Sequence, residues 1–180
     1  AQSGYRVILR DLSEGLVQKG LGRIEHFLAR AVSKGRMQES EKAATLDRIQ
    51  PTVSLEPVRE AQVVIEAIVE DFAKKRALFE ELGRLCPPDT ILASNTSSLP
   101  VTALASAVPG PERVIGMHFM NPVPLMKLVE VVSGLGTSPE VAQAVFDLAT
   151  RWGKTAVHTR STPGFIVNRI ARPYYAEARS

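Results

Sequence analysis

The sequence predicts an α/β chain built on a mostly parallel sheet with helices on both faces. Short β-rich runs alternate along it with segments of helical period, and caps, glycines and prolines fall at the joints between them. Residues 5–10 read as a strand closed by Asp11. Ser13 caps a helix whose apolar positions Leu16, Ile24, Phe27, Leu28 and Ala31 recur at helical spacing to about Lys34. Gly35 punctuates that helix, and residues 40–49 form a second, shorter one. Residues 62–66 are a buried-type strand, followed by a helix over 71–85 that Pro87-Pro88 stops. Further strands are predicted over 91–94, 114–118, 128–132 and 154–159. Short and long helices are predicted over 100–107 and 138–152, the latter opened by Ser138 as cap and Pro139 at its first position. Pro163-Gly164 then breaks the chain before a new helix from about Phe165.

Composition narrows the classes. The chain has 180 residues, 44% hydrophobic and 23% charged, with a net charge of +3, which is ordinary for a globular domain. Its charges are scattered, and the one dense basic run, Lys74-Lys75-Arg76, follows Glu70 and Asp71; nucleic acid is not expected as a partner. A single cysteine, Cys86, allows no intrachain disulfide framework and suits a reducing cytoplasm. No apolar stretch approaches the roughly 20 residues that span a bilayer, so no membrane role is expected. No cluster suggests a metal site. Residues 1–5 read as the end of a helix with Gly4 past its last turn, and residues 171–180 as a helix still running; both ends are expected to be truncated.

Two groups of residues stand out as chemistry. In a dinucleotide-binding fold an acid at the end of the second strand bonds the ribose 2′-OH, about 20 residues after a glycine-rich loop. Asp11 is placed to be that acid, and it would repel a 2′-phosphate and favour NAD; taken alone, an aspartate there more often serves a turn or helix entry. No G-x-G-x-x-G occurs in the chain. Glu70 and Lys75 flank a helix start after a strand end, where ligands collect in such sheets, or form a solvated charged turn. The second group is catalytic in character. The segment 94–99 sets small hydrogen-bonding residues after a strand. His118 ends another strand, and Glu130 lies in the apolar run 128–132, where a carboxylate is expensive to bury without a partner. A neutral imidazole with a carboxylate behind it suits removal of a hydroxyl proton as hydride leaves carbon, although a lone His is more often structural. His26 and His158 have no such setting.

Three stretches carry a resemblance: Ser94-Asn95-Thr96-Ser97-Ser98-Leu99, the run from Gly116 to Val132, and Thr162-Pro163-Gly164-Phe165-Ile166-Val167-Asn168-Arg169. They resemble the signature blocks of (S)-3-hydroxyacyl-CoA dehydrogenases. The resemblance implies a Rossmann-like, mostly parallel sheet, here lacking its first strand and glycine loop, followed by the start of an all-helical C-terminal domain. It places an NAD-binding domain over residues 1–162 and the start of a substrate and dimerisation domain over 163–180.

The same resemblance implies NAD-dependent oxidation of a 3-hydroxyacyl-CoA to the 3-oxoacyl-CoA, in fatty-acid or phenylacetate degradation. It implies His118 as base, Glu130 as its partner, Ser97 on the substrate oxygen and beside the nicotinamide, and Asn168 on the thioester end and hydroxyl. Asp11 would hold the adenosine ribose, with Glu70, Lys75 and Asn121 on the nicotinamide side. Lys34 matches either a CoA-phosphate lysine or a solvent-facing one. Residues 171–177 resemble enzymes acting on 3-hydroxyadipyl-CoA, with 3-hydroxybutyryl-CoA the alternative. A homodimer through the further helical domain is expected, and a chain without its central strand is expected to fold poorly and be inactive alone. The competing reading is a non-catalytic NAD-binding or crystallin-like structural relative, against which the joint presence of Ser97, His118, Glu130 and Asn168 speaks.

Overall fold

The structure, a computed structural model, describes residues 1–171. It divides into two compact units, residues 1–60 and 61–180. The helix expected over 171–180 and the resemblance carried by 171–177 lie, Ala171 apart, outside the described residues.

The first unit holds β1 (Val7–Arg10), α1 (Glu14–Ser33), α2 (Glu39–Asp47) and β2 (Ile49–Thr52). Ser13 caps α1 by accepting the Leu16 N–H at 3.4 Å, and α1 buries Val17 and Leu28. Gln38 and Glu41 form a reciprocal cap on α2. β2 was not expected: the helix predicted over 40–49 ends earlier, and the chain extends to pair in parallel with β1, Val7 opposite Ile49. Pro51 argues against a strand with partners on both sides, but β2 pairs with β1 alone, where a missing N–H is tolerated.

The second unit is a five-stranded sheet in sequential order: β3 (Val63–Glu66), β4 (Ile91–Ser94), β5 (Val114–Phe119), β6 (Leu128–Ser133) and β7 (Thr155–Arg160). Its helices are α3 (Phe72–Leu85), α4 (Val101–Ala105) and α5 (Pro139–Arg151). The fold is thus the expected α/β, mostly parallel and Rossmann-like. Among the described residues the strands form two sheets, β1 paired with β2 in one and β3 with β4 at the edge of the other. And β5 and β6 run antiparallel, since the stretch between them holds no crossover helix, which a parallel return would need.

The core of this unit lies where α5 covers the sheet. Ile115, Met117, Val129, Val131, Val145 and Ala149 are all buried there. Gly116 is required by close packing: a Cβ there would stand 2.8 Å from Val132 Cβ and 3.0 Å from Val101 Cγ2, so β5 approaches β6 and α4 more tightly than any side chain allows. No helix among the described residues is long and apolar enough to cross a membrane.

Candidate functional site

The antiparallel step between β5 and β6 builds the centre of the site. The register sets His118 directly opposite Glu130, and directly opposed residues of an antiparallel pair project from the same face. The side chains meet: His118 Nδ1 lies 2.6 Å from Glu130 Oε2. Glu130 is fully buried and His118 nearly so. An ionised carboxylate only accepts hydrogen bonds, so a neutral ring facing one carries its proton on Nδ1 and its lone pair on Nε2.

Glu130 is satisfied on both oxygens, as a carboxylate in an apolar strand must be. Its Oε1 accepts the backbone N–H groups of Ile166 at 2.7 Å and Val167 at 3.0 Å. These belong to the segment after the Pro163-Gly164 break, which turns helical again over 167–171. Gly164 takes φ +75°, and a Cβ there would press the Arg169 backbone N at 3.0 Å. Phe165 follows with φ +49° and packs its ring edge-on against the His118 imidazole, centroids 5.7 Å apart. A strained residue at the base is what functional sites tend to carry.

The small-residue loop after β4 is organised by one carboxylate. Glu70 Oε1 receives Thr96 Oγ1–H (2.7 Å), the Ser97 and Ser98 N–H groups (2.9 and 3.2 Å) and both serine hydroxyls (3.2 Å each). Partial burial would raise the Glu70 pKa. The Thr96 hydroxyl, the Ser97 and Ser98 donors and the Lys75 ammonium outweigh it and hold the carboxyl at about 2. Lys75 is 1% exposed, so the solvated-turn reading does not hold for it. It reaches Glu66 Oε1 at 2.6 Å, Glu70 Oε2 at 3.4 Å and the Ile68 carbonyl at 3.2 Å. Glu66 in turn accepts Ser94 Oγ–H at 2.7 Å and the Ile68 N–H at 2.7 Å.

The blocks are tied to one another. Asn95 Oδ1 accepts the Phe119 N–H at 2.9 Å, joining the loop to the end of β5. Asn168 Nδ2 donates to the Ser97 carbonyl at 3.1 Å, and Ser161 Oγ accepts the Val101 N–H at 2.9 Å. Ser97, His118, Glu130 and Asn168 therefore belong to one connected constellation. Asn121 is exposed in the loop after β5; Lys154 braces that loop by donating to the carbonyls of Val123 and Met126.

In the first unit, Asp11 closes β1 and accepts the Leu12 N–H at 2.7 Å. A surface depression lies there, lined by Glu14, Val17, Gln18, Pro51, Thr52 and Val53. Lys34 is the exposed C-cap of α1.

Sequence reasoning missed Glu66, Asn95 and Phe165. For Glu66 the signal was present: it ends the apolar run Val63-Val64-Ile65 just as Glu130 interrupts another, and the same cost of an unpaired buried carboxylate applies. Phe165 carried no comparable signal, because its positive φ belongs to the folded backbone.

Residues 1–162 match the family model described as 3-hydroxyacyl-CoA dehydrogenase, NAD binding domain. A probable 3-hydroxybutyryl-CoA dehydrogenase of Bacillus subtilis is 49% identical over 178 residues, spanning 99% of this chain and 62% of that protein. The 3-hydroxyadipyl-CoA dehydrogenase of Escherichia coli is 46% identical across 99% of this chain and 38% of its own length. The crystal structure of 3-hydroxybutyryl-CoA dehydrogenase from Escherichia coli superposes with a TM-score of 0.96 at 45% identity, covering 98% of this chain and 38% of the other. The chain thus spans under two thirds of the length of each of these relatives.

Proposed function

This chain belongs to the 3-hydroxyacyl-CoA dehydrogenase family, matching its NAD-binding domain, and on that premise we propose that it serves NAD-dependent oxidation of (S)-3-hydroxyacyl-CoA to 3-oxoacyl-CoA. The observation that carries the reading is the 2.6 Å contact between His118 Nδ1 and Glu130 Oε2. It leaves Nε2 as the one basic nitrogen of a ring held in place from behind.

NAD, when bound, supplies the hydride acceptor. His118 Nε2 takes the proton from the 3-hydroxyl. Glu130 fixes the ring and stabilises the imidazolium that results. Ser97 donates a hydrogen bond to the substrate oxygen, and Asn168 helps hold the thioester end. Asp11 binds the adenosine ribose, while Glu70, Lys75 and Asn121 border the nicotinamide side. What supports a dinucleotide is the polar loop that follows β4 at the carboxyl edge of the second sheet, where such sheets bind ligands; in the first unit, a carboxylate closes β1. Lys34, exposed at the end of α1, is suited to a CoA phosphate.

The relatives named for 3-hydroxybutyryl-CoA and 3-hydroxyadipyl-CoA support an acyl-CoA substrate, and we propose a role in fatty-acid or phenylacetate degradation. We also infer a boundary at residues 162/163, a homodimer formed through a helical domain, and a cytoplasmic setting.

His118→Ala separates an enzyme from a non-catalytic NAD-binding or structural relative. An enzyme loses turnover by about 10²–10⁴-fold while NADH affinity stays. Because this chain by itself is expected to be inactive, the change is made in the full-length protein, and no turnover there before or after it contradicts the reading.

A further inference from the structure

One buried group has no part in the chemistry above. Glu66 is 3% exposed and sits at the end of β3 with three partners: Lys75 Nζ, Ser94 Oγ and the Ile68 N–H. A carboxylate and an ammonium are costly to bury together, and well-packed apolar residues of similar size often serve stability as well or better. The pair is therefore poorly explained by stability alone. What it does is visible in the next link. Lys75 places its remaining reach on Glu70 Oε2, and Glu70 turns its other oxygen to the loop bearing Ser97.

That oxygen is oversubscribed. Five donors converge on Glu70 Oε1: Thr96 Oγ1, the N–H and Oγ of Ser97, and the N–H and Oγ of Ser98. One carboxylate oxygen has about two lone-pair sites. The short contacts from Thr96 Oγ1 and the Ser97 N–H at 2.7 and 2.9 Å satisfy it. The Ser97 hydroxyl, at 3.2 Å, is left able to turn to another acceptor at little loss. The backbone of the loop is thus fixed while the hydroxyl stays available.

We propose that Glu66 is a positioning residue for Ser97, acting through Lys75 and Glu70. Glu66 orients the Lys75 ammonium, Lys75 fixes the Glu70 carboxylate, and Glu70 fixes the backbone of Ser97 and Ser98. The inference rests on the dehydrogenase reading only for what the Ser97 hydroxyl meets.

The test is residue-resolved amide hydrogen exchange on the protein carrying Glu66→Gln together with Lys75→Met, which removes the charge pair without stranding either member. The Ser97 and Ser98 amides exchange about tenfold faster, while those of Met117 and Val131 in the core are unchanged. Unchanged exchange at Ser97 and Ser98 overturns the proposal. Should the core amides speed up as well, Glu66→Asp, which keeps the charge and draws the carboxylate back from Lys75 by one methylene, decides: faster exchange confined to Ser97 and Ser98 supports it, and none overturns it. Oxidation rate at saturating NAD, in the full-length protein, adds a readout that a packing role would not move. The rate lost in the double variant shrinks when Ser97 is already alanine, and a full additive loss in that background overturns the proposal. Failure of the unsubstituted full-length protein to bind NADH would count against the dehydrogenase reading, whereas the exchange result judges the positioning role by itself.

Discussion

Glu130 Oε1 accepts the backbone N–H of Ile166 at 2.7 Å, so the carboxylate that orients His118 also anchors the segment that brings Asn168 to Ser97. The two oxygens divide the two tasks. A substitution at this position can therefore break the base, the anchor, or both, depending on what it leaves behind.

Glu130→Gln is the selective change. Its carbonyl still accepts the Ile166 N–H, but its NH2 then faces His118 Nδ1 and drives the ring proton to Nε2. Turnover is expected to fall by about 10²–10⁴-fold with the unfolding midpoint nearly kept. Glu130→Ala removes both functions and also leaves buried donors unpaired, destabilising by about 1–3 kcal/mol. Steady-state kinetics beside urea unfolding distinguishes the two.

Gly116→Ala tests the tight approach of β5. The new methyl meets Val132 Cβ at 2.8 Å and Val101 Cγ2 at 3.0 Å, both in packed surroundings. Overpacking of this kind costs about 1–3 kcal/mol, and because β5 carries His118, turnover is expected to drop as well. Thermal unfolding with parallel activity measurements checks both.

Glu70 makes the stability of the loop depend on acid pH. Partial burial opposes its ionisation, but the Thr96, Ser97 and Ser98 donors and Lys75 bring the folded-state pKa to about 2, below its ordinary 4.5. A depressed carboxylate pKa stabilises the fold fully above the unfolded value, and that stabilisation is lost as pH falls through the folded one. The stability gap between the unsubstituted protein and Glu70→Gln is expected to be widest above about pH 5 and to shrink toward pH 2. Urea unfolding at pH 6, 4 and 2.5 reads it; a gap that does not change with pH contradicts the network.

Phe165→Ala removes the ring that packs on the imidazole, centroids 5.7 Å away. Loss of a buried Phe side chain costs about 3–5 kcal/mol. The expected signature is a larger fall in kcat than in NADH affinity, since the ring touches the base.

Much of this site was legible because buried charge is conspicuous. Glu130 in Leu128-Val129-Glu130-Val131-Val132 demanded a partner, and His118 stood at a strand end. What sequence could not supply was direction: alternating strands and helices say nothing of the antiparallel turn between β5 and β6, and that turn is what sets the two residues face to face. β2 was hidden by Pro51, which reads against a strand unless one edge is known to be unpaired. Lys75 belonged to a charged cluster at a helix start, and only the fold shows it turned inward to Glu66 rather than outward to water. The Phe165 backbone, at φ +49°, is a tertiary consequence with no local signature.

The most direct measurement is the tautomer of residue 118, from the 15N chemical shifts of its two ring nitrogens at neutral pH. With Glu130 Oε2 holding Nδ1 at 2.6 Å, the neutral ring is predicted to carry its proton on Nδ1 and a bare lone pair on Nε2, and Glu130→Gln to reverse the assignment. A neutral ring of the unsubstituted protein protonated on Nε2 would contradict the account, because the nitrogen assigned to receive the substrate proton would already hold one.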